Sequence, residues 1–134
     1  MEHNKRFFGS WELDPASCKY EVGKPPLSGR YDIAPQGDLL KFTLSWSDAE
    51  RPYQMEFTAL PDGEPHPFEN PALADTMTVG YKGDNLLESW NHKDETCLGY
   101  LKRELIGDGN KMMVSQEVET AGGKVVNRSI YNRL

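Results

Sequence analysis

The chain predicts an all-β fold: an antiparallel up-and-down β-barrel of about nine or ten strands, with no substantial helix. Three observations lead there. Leu40, Phe42, Leu44 and Trp46 alternate with Lys41, Thr43, Ser45 and Ser47, a strict period of two that a half-buried strand has and a helix does not. Clusters of Gly, Pro, Asn and Asp return roughly every ten residues, the spacing of a sandwich or a barrel. The links between the later strands are short, and sequential hairpins favour an up-and-down barrel over a Greek key.

The elements follow in order. Phe7, Phe8, Gly9, Ser10 and Trp11, then Glu12, Leu13 and Asp14, read as the opening strand, against which a last strand closes. Trp11 is expected as a floor residue covering one end of the barrel. Pro15 to Tyr20 and the following Gly23, Lys24, Pro25 and Pro26 read as an extended crossover along an edge, because the two prolines exclude both helix and central strand. Leu27 to Ala34 is the second strand, ended by the turn residues Pro35, Gln36, Gly37 and Asp38. The alternating strand at 40–47 pairs through Asp48 to Pro52 with a partner in which Tyr53, Met55, Phe57 and Ala59 oppose Gln54, Glu56 and Thr58.

From Pro61 to Asp75 the periodicity disappears, and four of the nine prolines fall there. A segment that long without periodicity is expected to act as a lid or rim. Alanine and leucine favour helix locally at Pro71 to Met77, but for barely one turn, so this too reads as loop. Thr76 to Tyr81, Leu86 to His92, Thr96 to Ile106, Met112 to Glu119 and Val125 to Leu134 complete a meander. Its turns carry the Gly, Asn and Asp that positive φ requires.

At 134 residues the chain is read as one domain, 1–134, long enough to bury a core without staples. A net charge of -6 repels a nucleic-acid backbone, so nucleic acid is not an expected partner. No window approaches the ~18 apolar residues of a membrane span. Met1 to Arg6 is polar and holds no apolar signal core, so the protein is expected in the cytoplasm, without membrane insertion, as a monomer or homodimer. Cys18 and Cys97 are too few for a disulfide framework. His3, His66 and His92 lie in unrelated contexts without zinc spacing, so no metal is expected, and no cofactor either.

Gly9, Ser10 and Trp11 near the start, followed by an all-strand meander ending in a strand with Arg128 and Tyr131, resemble the calycins, the lipocalins and fatty-acid-binding proteins. Gly9 to Tyr20, the link at Pro25 and Pro26, and Pro61 to Asn70 with Pro71 and Ala72 look most like small bacterial lipocalin-like proteins of unassigned activity. The chain departs from the fatty-acid-binding proteins in having Pro25 and Pro26 where they insert two helices, and from haem-binding relatives in having no histidine after His92.

The resemblance implies a ligand inside the barrel. Arg103 shares a row with Gly99, Leu101 and Leu105, and Arg128 with Val126 and Ile130. An arginine facing an apolar interior needs an anionic partner, and a ligand carboxylate would supply one bidentately. Arg103, Arg128 and Tyr131 resemble the set that holds the ligand carboxylate in fatty-acid-binding proteins. The alternative is that one of the two arginines packs its guanidinium over Trp11, as in lipocalins, and the other faces solvent. Tyr131 lies three residues from Arg128, so a regular strand points them to opposite sides. Phe42, Trp46, Tyr53, Phe57, Trp90 and Tyr100 are the candidate pocket wall, and equally candidate core.

The expected function is therefore binding of a small apolar or amphipathic molecule, with a carboxylate as one option. Two other readings stay open: an isomerase or cyclase using Arg103, Glu88, Glu117 or His92 inside the barrel, and a filled barrel that serves as an interaction domain.

Overall fold

Strand alternation extends through the whole computed structural model, which describes residues 4–68, 74–94 and 96–134. A 3-10 turn at Lys5–Phe7 precedes ten strands: β1 (Gly9–Tyr20), β2 (Ser28–Gln36), β3 (Leu39–Ser47), β4 (Pro52–Ala59), β5 (Pro65–Pro67), β6 (Thr76–Lys82), β7 (Leu86–Lys93), β8 (Thr96–Ile106), β9 (Lys111–Thr120) and β10 (Gly123–Arg133). They form one antiparallel sheet in the order β4-β3-β2-β1-β10-β9-β8-β7-β6-β5, so all chain neighbours except β4 and β5 pair and the first strand pairs with the last. This is the up-and-down barrel expected from sequence. The lid reading of 61–75 and the loop reading of 71–77 fall partly on residues outside this description, as do His3 and Glu95. No helix among the described residues is long and apolar enough to cross a membrane.

Two prolines sit where the ladder can spare a donor. Pro35 lies in β2 beyond Ile33, the last residue that β2 pairs with β1, so its missing N–H costs no bond on that side. Pro15 lies within β1, which therefore does not end at Asp14 as the sequence reading had it. The β1–β10 register shifts between Asp14 and Lys19, and that bulge accommodates the proline. Within it, the Ser17 hydroxyl donates to the Asp14 carbonyl (2.6 Å) and accepts the Ile130 N–H (2.8 Å), which restores the link to β10. The segment 21–27 then leads to β2 without helix. The turn glycines Gly37 and Gly83 have φ of 61° and 67°, as hairpin geometry demands.

The sheet does not close by hydrogen bonds between its edges: among the described residues β4 and β5 share no ladder. The chain between them covers part of the gap. The Gly63 N–H donates to the Val79 carbonyl (2.9 Å), and β-carbons at Gly80 would come within 3.2 Å of the Gly63 α-carbon, so glycine permits this approach. Beyond it, Phe68 packs edge-on against Phe57, ring centroids 5.7 Å apart.

One end of the barrel is packed solid. Phe7, Trp11, Ile33, Leu40, Leu87 and Met112 are essentially inaccessible there, each contributing about 2 kcal/mol or more of burial free energy. Trp11 is the floor residue, as expected, and its indole N–H donates to the Phe7 carbonyl (3.2 Å). The arginine over it is neither Arg103 nor Arg128. Arg133 pairs with Trp11 in the β1–β10 register, and its guanidinium lies 4.1 Å from the indole ring. From there it donates to the carbonyls of Phe8 (2.7 Å), Arg6 (2.5 Å) and Gly109 (3.3 Å), tying the N-terminal turn and the β8–β9 turn to the last strand. Gly9 makes room for it: its φ is 123°, and a β-carbon there would meet the Arg133 Nη1 at 3.2 Å.

Replacing Arg133 by leucine removes these bonds and the ring contact together and takes this donor from the carbonyls of Phe8, Arg6 and Gly109. The unfolding free energy should fall by about 2–4 kcal/mol in urea titration. Arg128→Leu, at an exposed position, should change it by less than about 0.5 kcal/mol.

Candidate functional site

Above the floor, the interior opens into a cavity of about 570 Å³. The strand period decides which residues reach it. On β8, Leu101 and Arg103 point in while Tyr100, Lys102 and Glu104 point out; on β7, Ser89 and Asn91 point in while Glu88, Trp90 and His92 point out. β3 and β4 supply Leu44, Trp46, Tyr53, Met55 and Phe57, and β10 supplies Asn127, Ser129 and Tyr131.

Of the residues singled out from sequence, Arg103, Tyr131, Trp46, Tyr53 and Phe57 line the cavity. Phe42 lies just below them, fully buried and stacked on Phe57 with centroids 4.9 Å apart. Arg128, Trp90 and Tyr100 are not brought to the cavity. Arg128 is exposed on the outer face, because Tyr131 and Ser129 take the inward positions of β10. Trp90 and Tyr100 belong to the outward rows of β7 and β8 and line a separate outer depression of about 370 Å³ together with Glu88 and Glu117. There the Tyr100 hydroxyl donates to Glu88, and burial followed by that carboxylate raises the phenol's pKa. Glu117 pairs with Lys124 at 3.2 Å. Glu88, Glu117 and His92, three of the four groups named for an enzymatic reading, thus lie outside the barrel.

Arg103 is the centre of the site. It is 2% exposed, yet it makes no ion pair among the described residues. Its Nε donates to the Tyr31 hydroxyl (2.6 Å) and its Nη1 to the Ser89 hydroxyl (2.8 Å). The guanidinium carbon lies 4.6 Å from the Phe42 ring centroid and 5.5 Å from that of Tyr31. Cation–π contact and two neutral hydrogen bonds offset part of the cost of burying this charge, but they do not neutralise it. Since Tyr31 and Ser89 accept from the arginine, each keeps its own hydroxyl proton to donate elsewhere. Guanidinium and hydroxyls therefore form a cluster of donors facing one point, the arrangement an anion requires.

Tyr131 stands beside this cluster, its ring edge-on to Tyr31 at 5.6 Å. Burial, then the nearby Tyr31 and Tyr20 phenols, raise its pKa above the ordinary tyrosine value. Among the described residues the one carboxylate on the cavity wall is Asp48. Backbone N–H groups of Arg51 (3.0 Å) and Glu50 (2.8 Å) and the Tyr53 hydroxyl (2.8 Å) hold it below the usual carboxylate pKa, so it stays ionised and committed. Nearby, the Trp46 and Tyr53 rings stack at 5.5 Å.

Sequence reasoning missed Tyr31, Ser89 and Arg133. Ser89 carried a legible signal: a small polar residue in the row of Leu87 and Asn91, which pairs across to the row of Arg103.

No family model and no curated protein matches the chain. Solved structures do. Lipid binding protein 8 of Caenorhabditis elegans, in its apo form, superposes with a TM-score of 0.67 at 16% identity, covering 100% of this chain and 99% of that one. Zebrafish ileal bile acid-binding protein complexed with cholic acid gives 0.65 at 17% identity, covering 96% and 99%. The Schistosoma mansoni fatty acid binding protein in complex with arachidonic acid gives 0.63 at 13% identity, covering 99% of each. The chain thus shares the fold of these three structures over nearly its whole length.

The raised Tyr131 pKa has a consequence for stability. Free tyrosine titrates near pH 10; above that pH the unfolded chain releases a proton that folded Tyr131 retains, so this contribution to stability is present below about pH 10 and is lost as pH rises. Thermal unfolding of Tyr131→Phe should show a shallower loss than the parent between pH 10 and 11.5, by up to about 1.4 kcal/mol per pH unit. Equal slopes would rule this out.

Proposed function

We propose that the barrel binds a small amphipathic molecule with an anionic, carboxylate-type head, the head seated at Arg103 and the apolar body along Phe57, Met55 and Leu44 towards the mouth. The observation that carries this reading is the buried Arg103, which has donors around it and no acidic partner among the described residues. An unpaired charge kept in an interior is a cost to the fold of several kcal/mol, and a ligand carboxylate removes it. Tyr31, Ser89 and Tyr131 assist as hydroxyl donors, Phe42 supports the guanidinium from below, and Trp46 and Tyr53 flank the entrance. The solved structures that share the fold include ones complexed with arachidonic acid and with cholic acid, both carboxylates, which supports the same reading. In this reading the protein works in the cytoplasm, where Cys18 and Cys97 remain free thiols.

The test is titration calorimetry with dodecanoate and with dodecanol. Arg103→Leu should weaken dodecanoate about 10–100-fold, the worth of charge-assisted hydrogen bonds, and leave dodecanol unchanged or tighter. The same variant should be as stable as the parent or more so without ligand, because leucine replaces an unpaired charge. Equal losses for acid and alcohol, or no loss for the acid, would refute the assignment.

A further inference from the structure

On the outer face of β7 and β8, where side chains meet water, two large aromatic residues stand side by side. Trp90 and Tyr100 are paired in the β7–β8 register, with ring centroids 5.3 Å apart and planes tilted by 40°. A bulge shapes the wall beside them. Asn91 pairs with Gly99 but His92 with Cys97, so Leu98 is the extra residue of β8. Leu98 is 41% exposed and helps to line the depression of about 370 Å³ that the two rings share.

The charges around these rings are mostly of one sign. Glu88, Glu117 and Glu119 line the depression against Lys124, which leaves two negative charges in excess. Lys124 is committed to Glu117 at 3.2 Å. Glu88 accepts the Tyr100 hydroxyl. Neither Glu88 nor Glu119 makes an ion pair among the described residues, although Lys102 lies opposite Glu88 in the register. Nor does a cation of the described residues lie over either ring, whereas Tyr53, Tyr31, Phe42 and Trp11 each have an arginine. The negative face of an aromatic ring attracts a cation within about 6 Å, and a neighbouring carboxylate adds to that attraction.

Three kinds of ligand fit this place poorly. An anion is repelled by the carboxylates, and an uncharged apolar molecule strips water from them without return. A hard metal ion takes oxygen ligands and makes no use of rings, and no group of three ligating side chains is found among the described residues. An alkylated ammonium group is weakly hydrated and carries its charge on a skirt of carbon, so it uses rings and carboxylates together. We propose that the depression is a second binding site, outside the barrel, for a small molecule bearing an alkylated ammonium group. Trp90 and Tyr100 lie against its methyl groups, and Glu88 and Glu119 face its charge. The volume falls at the small end of small-molecule sites, roughly 300–1,000 Å³. This site and the interior cavity have no lining residue in common, so it stands apart from the carboxylate reading.

NMR of the indole N–H groups tests this, with the Trp90 resonance assigned through Trp90→Leu. Choline is titrated beside 3,3-dimethylbutan-1-ol, which has the same shape and no charge, and beside sodium chloride at equal ionic strength. Choline should shift the Trp90 resonance saturably, with a Kd of roughly 1 mM, and leave those of Trp11 and Trp46 in place. The alcohol should bind about tenfold more weakly or worse. Glu88→Gln combined with Glu119→Gln should weaken choline about tenfold and leave the alcohol unchanged. Glu119→Gln alone, at an exposed position, should weaken choline about threefold and serves if the double variant does not fold. Equal shifts from sodium chloride, equal affinity for choline and the alcohol, choline binding that survives both variants unchanged, or no response would overturn the proposal. So would a peptide carrying one trimethyllysine that binds about tenfold tighter than choline, since the cation would then belong to a polypeptide.

Discussion

The closure of β10 onto β1 is the contact on which the rest depends. Pairing in chain order alone makes two separate sheets, β1–β4 and β5–β10; pairing the last strand with the first, across Trp11 and Arg133, joins them into one. The tryptophan fills the axis at one end and the arginine fixes the backbone around it through three carbonyls. A barrel sealed at one end by packed side chains can leave its other half unfilled without collapsing. Gly9 belongs to the same device, because the space a β-carbon would take is taken by the guanidinium. The spacing of glycine and tryptophan at the start of the chain thus reflects an arginine that arrives at its end.

The two arginines, Arg103 buried and Arg133 half-buried, make opposite use of their surroundings. Arg133 is ringed by carbonyl oxygens at short range, each accepting part of its charge, so it strengthens the fold where it stands. Arg103 meets hydroxyls and ring faces, which stabilise a cation weakly and can turn their own protons to an incoming anion. A position chosen for stability would carry leucine or methionine at such a site. Keeping an arginine there sacrifices stability at the point where a ligand is to be held, a pattern common where proteins bind rather than merely fold.

Much of this was legible in the residues. Alternation of apolar and polar side chains located every long strand but the first to within a few residues, because burial on one face imposes a period of two that few other structures share. Parity also placed Arg103 in an apolar row and separated Tyr131 from Arg128. What parity does not tell is which of the two rows faces in. For β7 the row of Leu86, Glu88, Trp90 and His92 mixes apolar and titratable residues, and the smaller row of Leu87, Ser89 and Asn91 is the inner one, because strands of a narrow barrel crowd at the axis and small side chains fit there. Trp90 and Tyr100 were therefore candidates for a wall they do not form. Arg133 escaped notice because its role comes from the register of the first strand with the last, a pairing of distant residues that no local pattern encodes. Pro15 to Tyr20 read as part of the crossover that holds Pro25 and Pro26; a bulge, invisible in composition, lets β1 continue through them.

The grouping of aromatic side chains inside the barrel follows from the same topology. Up-and-down order keeps chain neighbours side by side, so a difference in composition between segments becomes a difference between sides of the barrel. The β3–β4 hairpin has its inward row filled by Phe42, Leu44, Met55 and Phe57, and these aromatic and aliphatic groups pair across the two strands. The later meander puts serine, asparagine and glutamine into its inward row at intervals, and register lines them up although they are far apart in sequence. A mixed or Greek-key order would have interleaved the two kinds of strand and averaged them over the interior. Because the order is sequential, the stacked aromatic rings of the β3–β4 hairpin stay together, and Arg103 reaches the Phe42 ring from β8 across the interior.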